Sequence, residues 1–107
     1  MSALNKRTQM PTYDWDVLFM NEFKRLSTTQ QALFNAAVKL MVADLKAKQP
    51  FHARLRVKGV QGTTGVYEMT WEMPDGRATF NFEKPRRASE AHIHWRRIGG
   101  HDILKQP

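Results

Sequence analysis

The stretch HIHWRRIGGHDI, residues 92–103, gathers side chains that can move protons and bind phosphate. It holds three of the four histidines in the chain, together with two adjacent arginines and a glycine pair. Histidine can accept or donate a proton near neutral pH, and arginine presents a fixed fork of donors that fits a phosphate group. These residue types predict acid–base chemistry beside a bound phosphate.

Cleavage of RNA without a metal ion needs side chains of these kinds. A base must take the proton of the 2′-hydroxyl, an acid must protonate the leaving 5′-oxygen, and cations must stabilise the charge on the phosphorane. His101 is the candidate for proton transfer, because Gly99 and Gly100 let the chain turn sharply back towards the preceding strand.

His92 and His94 alternate along that predicted strand, where they fit equally well as ordinary surface residues. Their spacing is also compatible with a pair of metal ligands, but no third ligand follows at a recognisable spacing. We therefore expect no metal site and no cofactor.

The net charge of +7 lies almost entirely in the second part of the chain. Residues 1–45 carry five basic and four acidic side chains, whereas residues 46–107 carry twelve and six and so hold +6 of the excess. This asymmetry indicates a polyanionic partner, most often nucleic acid, because cations neutralise phosphates. A solubilising surface or an acidic protein partner is the alternative.

Length and composition restrict the class of protein. A chain of 107 residues without cysteine has room for one core, and it has neither disulfides nor thiolate metal ligands. We find no apolar run long enough to span a membrane and no secretory signal, so we expect a cytoplasmic protein that does not bind membranes. We expect a flexible arm over residues 1–11 and a single domain over residues 12–107.

The first half of the chain predicts one strand and two helices. Alternation in YDWDVLF predicts a strand over residues 13–19, and residues 21–26 predict about one helical turn. The sequence STTQ at 27–30 is a capping box, which predicts the start of a long helix at Thr28. That helix is expected to end at about Lys48, before Pro50.

The second half changes to the period of two that is typical of strands. We predict strands at 54–58, 66–73, 77–82 and 92–98, with a hairpin turn at 74–76 and a basic loop at 83–90. The predicted fold is α+β, an antiparallel sheet of three or four strands with one long and one short helix packed on one face. The opposite, solvent-facing side is expected to collect Arg54, Arg56, Lys58, Glu68, Arg77, His92, His94 and Arg96.

The segment VQGTTGVYEMTWEMPDGRATFNF, residues 60–82, resembles the RelE/ParE superfamily of toxins from type II toxin–antitoxin systems. RelE-type toxins show a similar order of an apolar residue, a glycine, a tyrosine, a turn and an arginine that opens an apolar strand. Here these residues are Val60, Gly62, Tyr67 and Arg77. The order of elements over residues 13–103 also agrees.

The resemblance implies a ribosome-dependent endoribonuclease that cuts mRNA in the ribosomal A site and is neutralised by a cognate antitoxin. It implies that Arg77 holds the scissile phosphate and that His101 acts as the general acid or base, as in YoeB-like members. Lys58 and Arg56 lie where such toxins have functional lysines. Asp102 departs from the tyrosine of YoeB-like toxins, although HigB-like members place an aspartate and a histidine near this point.

We therefore assign His101, Arg77, Lys58 and Arg56 to catalysis. The remaining polar candidates are assigned to RNA binding, and they are Arg54, Glu68, His94, Arg96, Arg86, Arg87 and Asp102. Two alternatives remain open, a ParE-like toxin that blocks DNA gyrase without catalysis and a non-toxic, basic nucleic-acid-binding protein. The oligomeric state does not follow from the sequence.

Overall fold

The structure, a computed structural model, describes residues 11–86 and 90–107. The arm predicted at residues 1–11 lies outside the described residues except for Pro11, and Arg87 lies outside them too. The helices and strands are β1 (Thr12–Trp15), α1 (Val17–Arg25), α2 (Thr28–Ala47), β2 (Lys58–Gly59), β3 (Tyr67–Glu72), β4 (Gly76–Glu83) and β5 (His92–Gly99). Short 3-10 helices cover Ala53–Leu55 and His101–Lys105.

The strands form one mixed sheet in the order β1-β5-β4-β3-β2. Strand β1 runs parallel to β5, and the other neighbours are antiparallel. The predicted α+β class is confirmed, as is the β3–β4 hairpin. The prediction of three or four antiparallel strands is wrong, because the sheet has five strands and one of the pairings is parallel. The sequence of a short strand such as β1 does not show that its partner lies near the other end of the chain.

The strand predicted over residues 13–19 stops early. Asp16 caps helix α1, since its side chain accepts a hydrogen bond from the Leu18 backbone N–H at 2.9 Å. Val17 is therefore 75% exposed on the helix, while Phe19 is buried in the core. Helix α1 has nine residues, more than the single turn predicted.

Helix α2 begins as the capping box predicts. The Ser27 hydroxyl accepts from the Gln30 backbone N–H, and the Gln30 side chain accepts from the Ser27 N–H. The helix ends at Ala47, and Lys48 follows in the left-handed conformation with φ of 54°. Neither helix of the described residues has the length and apolarity needed to cross a membrane.

Aromatic rings fill the core between the helices and the sheet. Phe34 of α2 lies 5.1 Å from Trp95 of β5, and Phe80 of β4 lies 5.3 Å from the same indole, measured between ring centroids. Trp95, Trp71 and Phe80 are all buried in this core. Met73 and Phe82 are exposed, because Met73 lies just beyond the end of β3 and Phe82 lies next to the end of β4.

The strand predicted at 54–58 does not form. Ala53–Leu55 make a 3-10 turn that buries Leu55, and Arg56 adopts a left-handed φ of 49°. Only Lys58, from the predicted stretch, lies in a strand. The basic side chains of this stretch therefore do not share one strand face.

The chain does not form the predicted strand at 54–58 because the loop before it is bound to helix α2. The carboxylate of Asp44, which is completely buried, accepts hydrogen bonds from the Gln49 side chain at 2.7 Å and from both the backbone N–H and the imidazole of His52 at 2.9 Å. The bond from the His52 ring, supported by Gln49 and the His52 backbone, holds the pKa of the Asp44 carboxyl below its usual value despite burial. These bonds fold residues 49–52 back against the helix.

We predict that Asp44→Asn lowers the melting temperature by several degrees at pH 7, because buried donors lose their acceptor. A carboxyl with a depressed pKa stabilises the fold above its unfolded pKa of about 3.9 and loses that contribution as the pH falls further. The difference in melting temperature between the wild type and Asp44→Asn should therefore become smaller below about pH 4. Circular dichroism melts measured against pH test this, with the exposed Asp102→Asn as control. A difference that stays constant in acid would contradict it.

Candidate functional site

The C-terminal segment folds back over the polar face of the sheet. After Gly99 and Gly100 the chain enters the 3-10 helix His101–Lys105, which contacts β4 and β5 and buries Ile103. Thr79 of β4, on this face, is completely buried. The expectation of an open, solvent-facing side is therefore corrected, because the tail covers part of it and leaves a smaller cleft.

Asp75, in the turn between β3 and β4, fixes the position of the tail. Its carboxylate accepts a hydrogen bond from the His101 backbone N–H at 3.0 Å. A Cβ atom at position 100 would lie only 2.5 Å from an Asp75 carboxylate oxygen, so this close approach needs glycine. Sequence reasoning found the glycine pair but did not identify Asp75 as its partner.

The fold brings His101, Arg77 and Lys58 to one open pocket of about 610 Å³. Arg77 is the second residue of strand β4, Lys58 is the first residue of β2, and His101 begins the C-terminal 3-10 helix. Glu68 of β3 lies between them, opposite Lys58 in the strand register. The pocket is completed by Gly59, Val60, Gln61 and Leu104, which the sequence analysis did not assign.

Arg77 is held in place by the turn that precedes it. Its Nη1 atom donates to the carbonyl oxygens of Pro74 and Gly76, both at 3.1 Å. Its Nε atom lies 3.7 Å from Glu68 Oε1, and both side chains are largely buried. Within the described residues Nη2 makes no hydrogen bond, so the N–H groups on this edge of the guanidinium are not used inside the chain.

Several predicted site residues lie away from this pocket. Arg56 is exposed ahead of β2, and Arg54 lines a different cleft, of about 230 Å³, against helix α2. Asp102 is exposed beside His101 but does not line the pocket. Glu68, by contrast, is part of the pocket lining.

The paired arginines of the last strand hold the tail. Arg96 donates to the side-chain oxygen of Asn81 at 3.1 Å and to the backbone oxygen of Pro107. Arg97 binds the Glu22 carboxylate and the Gln106 carbonyl, and the Glu22 contact raises the pKa of the Arg97 guanidinium. The donors that the sequence suggested for phosphate are thus engaged within the chain.

His94 and Arg86 lie at the other end of the sheet, near the start of β5. His94 Nδ1 donates to Asp14 Oδ1 at 2.6 Å, and Arg86 lies 3.6 Å from the second oxygen of the same carboxylate. The bond from His94 lowers the pKa of the Asp14 carboxyl, and His92 contributes in the same sense. These residues form a second cluster, separate from the pocket.

The fold resembles that of solved toxin structures. It is similar to the E. coli DinJ–YafQ toxin–antitoxin complex, with a TM-score of 0.65 and 14% identity over 89% of this chain and 97% of the other. A second crystal structure of the E. coli DinJ–YafQ complex has a TM-score of 0.62 and 15% identity, and the match covers 88% of this chain and 97% of the other. A crystal structure of YafQ from E. coli strain BL21(DE3) has a TM-score of 0.56 and 15% identity, and the match covers 88% of this chain and 97% of the other.

At these identities the likeness concerns the fold alone. The predicted resemblance to toxins of toxin–antitoxin systems is confirmed at the level of the fold, because the DinJ–YafQ toxin–antitoxin complex is among the solved structures of similar fold. No family model and no curated protein matches the sequence.

We predict that Gly100→Ala releases the C-terminal helix, because the added methyl group displaces the Asp75 carboxylate from the His101 N–H. Hydrogen–deuterium exchange should show faster amide exchange over residues 101–105 than in the wild type. Gly59→Ala is the control, since its new Cβ would meet nothing closer than 4.0 Å. Unchanged protection of the His101 amide in Gly100→Ala would refute the proposed anchor.

Proposed function

We propose that this protein is the toxin of a type II toxin–antitoxin system and that it cleaves mRNA on the ribosome by acid–base catalysis without a metal ion. The observation that carries the proposal is the convergence of His101, Arg77 and Lys58 in one pocket. These side chains come from three separate elements, and together they supply a proton carrier and two cations around a space open to solvent.

In this proposal His101 transfers the proton and the cations stabilise the phosphorane. The 2′-hydroxyl attacks the adjacent phosphorus and loses its proton, the P–O5′ bond breaks, and the 5′-oxygen leaves with a proton, giving a 2′,3′-cyclic phosphate. His101 is exposed at the pocket, and we assign Arg77 and Lys58, which line the same pocket, to the non-bridging oxygens of the phosphate.

Glu68 is the second group in the pocket that can carry a proton. It lies against Arg77 and opposite Lys58, so it balances part of their charge when no RNA is bound. The reaction has two proton transfers, one from the 2′-hydroxyl and one to the 5′-oxygen. We assign Glu68 to the transfer that His101 does not carry out. Arg56 and Arg54 extend the positive surface beyond the pocket, where they would meet the RNA backbone.

A cognate antitoxin is the protein partner we propose, since the solved complexes of similar fold pair YafQ with DinJ. An apolar surface on the first strand and helix supports a protein partner, because Tyr13, Trp15, Val17 and Leu18 are all substantially exposed. The proposed site of action is the cytoplasm, where the mRNA and the ribosome are found.

We predict that His101→Ala and Arg77→Ala each slow mRNA cleavage by about 10²-fold or more, the usual scale for a lost acid–base group or charge stabiliser. Primer extension on programmed ribosomes measures the rate, with an active RelE toxin as the positive control. Lys39→Ala removes an exposed cation from α2, on the opposite side of the sheet, and should cleave at the wild-type rate.

Growth of cells that express the protein and a DNA supercoiling assay, measured beside mRNA cleavage, separate the two alternatives. Intact mRNA together with growth arrest and inhibited DNA supercoiling would identify a gyrase inhibitor. Intact mRNA without growth arrest would identify a non-toxic binding protein. Cleavage that survives both substitutions would remove the assignments of His101 and Arg77.

A further inference from the structure

Four side chains from three strands meet near the start of β5. Asp14 of β1 pairs in register with His94, and Glu83 of β4 pairs in register with His92. Because β1 and β4 lie on either side of β5, the two carboxylates approach the histidines from opposite sides. This Asp14–Glu83–His92–His94 cluster is separate from the pocket that contains Arg77.

His92 is the unusual member of the cluster. Only 3% of the residue is exposed, and its Nδ1 atom is hydrogen-bonded to the Thr12 hydroxyl at 2.7 Å. Its Nε2 atom is buried and makes no hydrogen bond within the described residues. It lies 3.4 Å from Asp14 Oδ2 and 3.8 Å from Glu83 Oε1, as an ion-pair neighbour of both carboxylates without a hydrogen bond to either.

We propose that this cluster binds a divalent transition-metal ion such as Zn²⁺, with His92 Nε2 and one carboxylate oxygen each from Asp14 and Glu83 as ligands. The three ligand atoms lie within 4.8 Å of one another. Ligands that bind zinc at about 2.0–2.2 Å are separated by no more than about 4.4 Å, so small side-chain movements suffice. An imidazole with two carboxylates suits zinc and related ions.

The surrounding hydrogen bonds orient the ligands as metal sites require. When the Nδ1–H of His92 donates to Thr12, the lone pair of Nε2 points at the space between the carboxylates. His94 donates to Asp14 Oδ1 and leaves Oδ2 for the ion. Asp14 and Glu83 are partly exposed, so water can complete the coordination.

Arg86 occupies the position of the cation in this structure. Its Nη2 atom lies 3.2 Å from Glu83 Oε1 and 3.6 Å from Asp14 Oδ2, and half of its side chain is exposed. The guanidinium neutralises the same two carboxylates that would bind the ion. Arg86 and the metal therefore compete, and the arginine must swing towards solvent when the ion binds.

The role of the ion would be to join β1 to the two central strands. The site lies at the end of β4, six residues and about 20 Å from Arg77 at its start, so it takes no part in the proposed cleavage. The inference is independent of the proposed function. Its failure would leave the nuclease assignment untouched.

Isothermal titration of the tag-free, full-length protein with ZnCl₂ tests the proposal. We expect one ion per chain, and Asp14→Asn and Glu83→Gln should each weaken binding by at least about tenfold. Arg86→Gln should tighten binding several-fold, because the competing cation is gone. His101→Ala, which removes the histidine of the other pocket, should bind as the wild type does.

Absence of saturable binding to the wild type would overturn the proposal. So would wild-type affinity in Asp14→Asn and Glu83→Gln, or loss of binding in His101→Ala, which would move the ion to the other pocket. Circular dichroism shows whether each variant is folded. Should both ligand variants unfold, the Arg86→Gln titration decides, because unchanged affinity there contradicts the proposed competition.

Discussion

The pairing of β5 with β1 on one side and β4 on the other is the constraint on which both proposed sites depend. The first residues of β5 meet Asp14 and Glu83 across these pairings, and its last residue, Gly99, lies opposite Arg77. A slip of one residue in either pairing would turn every β5 side chain to the other face of the sheet. The buried Ile93 and Trp95 exclude that slip, because they would lose the core.

A bulge in β5 lets this strand place side chains in the core on both sides of the bulge and still end opposite Arg77 of the pocket. Thr79 pairs with Arg97 and Phe80 with Trp95, so Arg96 is the additional residue. The bulge changes the phase of the strand, and Ile98 is therefore buried in the core like Trp95, three residues before it.

Features that depend on neighbouring residues could be predicted from the sequence, and features that depend on distant ones could not. The capping box at Ser27, the long helix and the β3–β4 hairpin are local, and all are found. The alternating basic residues from Arg54 onward failed to form a strand because buried Asp44 binds the loop before them. The partners of His92 come from strands that precede it along the chain, so no spacing pattern could reveal them.

The excess of positive charge is a weaker guide to function than the positions of the cations that remain free. Arg96 and Arg97 bind the tail, and Arg86 lies between two carboxylates. In the pocket, by contrast, His101 is held through its backbone N–H, so its imidazole is not engaged by Asp75. Arg77 is fixed through Nη1 and lies near Glu68 through Nε, whereas its Nη2 makes no hydrogen bond in the part of the chain that the structure describes. Groups that are positioned before the substrate arrives need little reorganisation during the reaction, and such an arrangement favours stabilisation of a transition state.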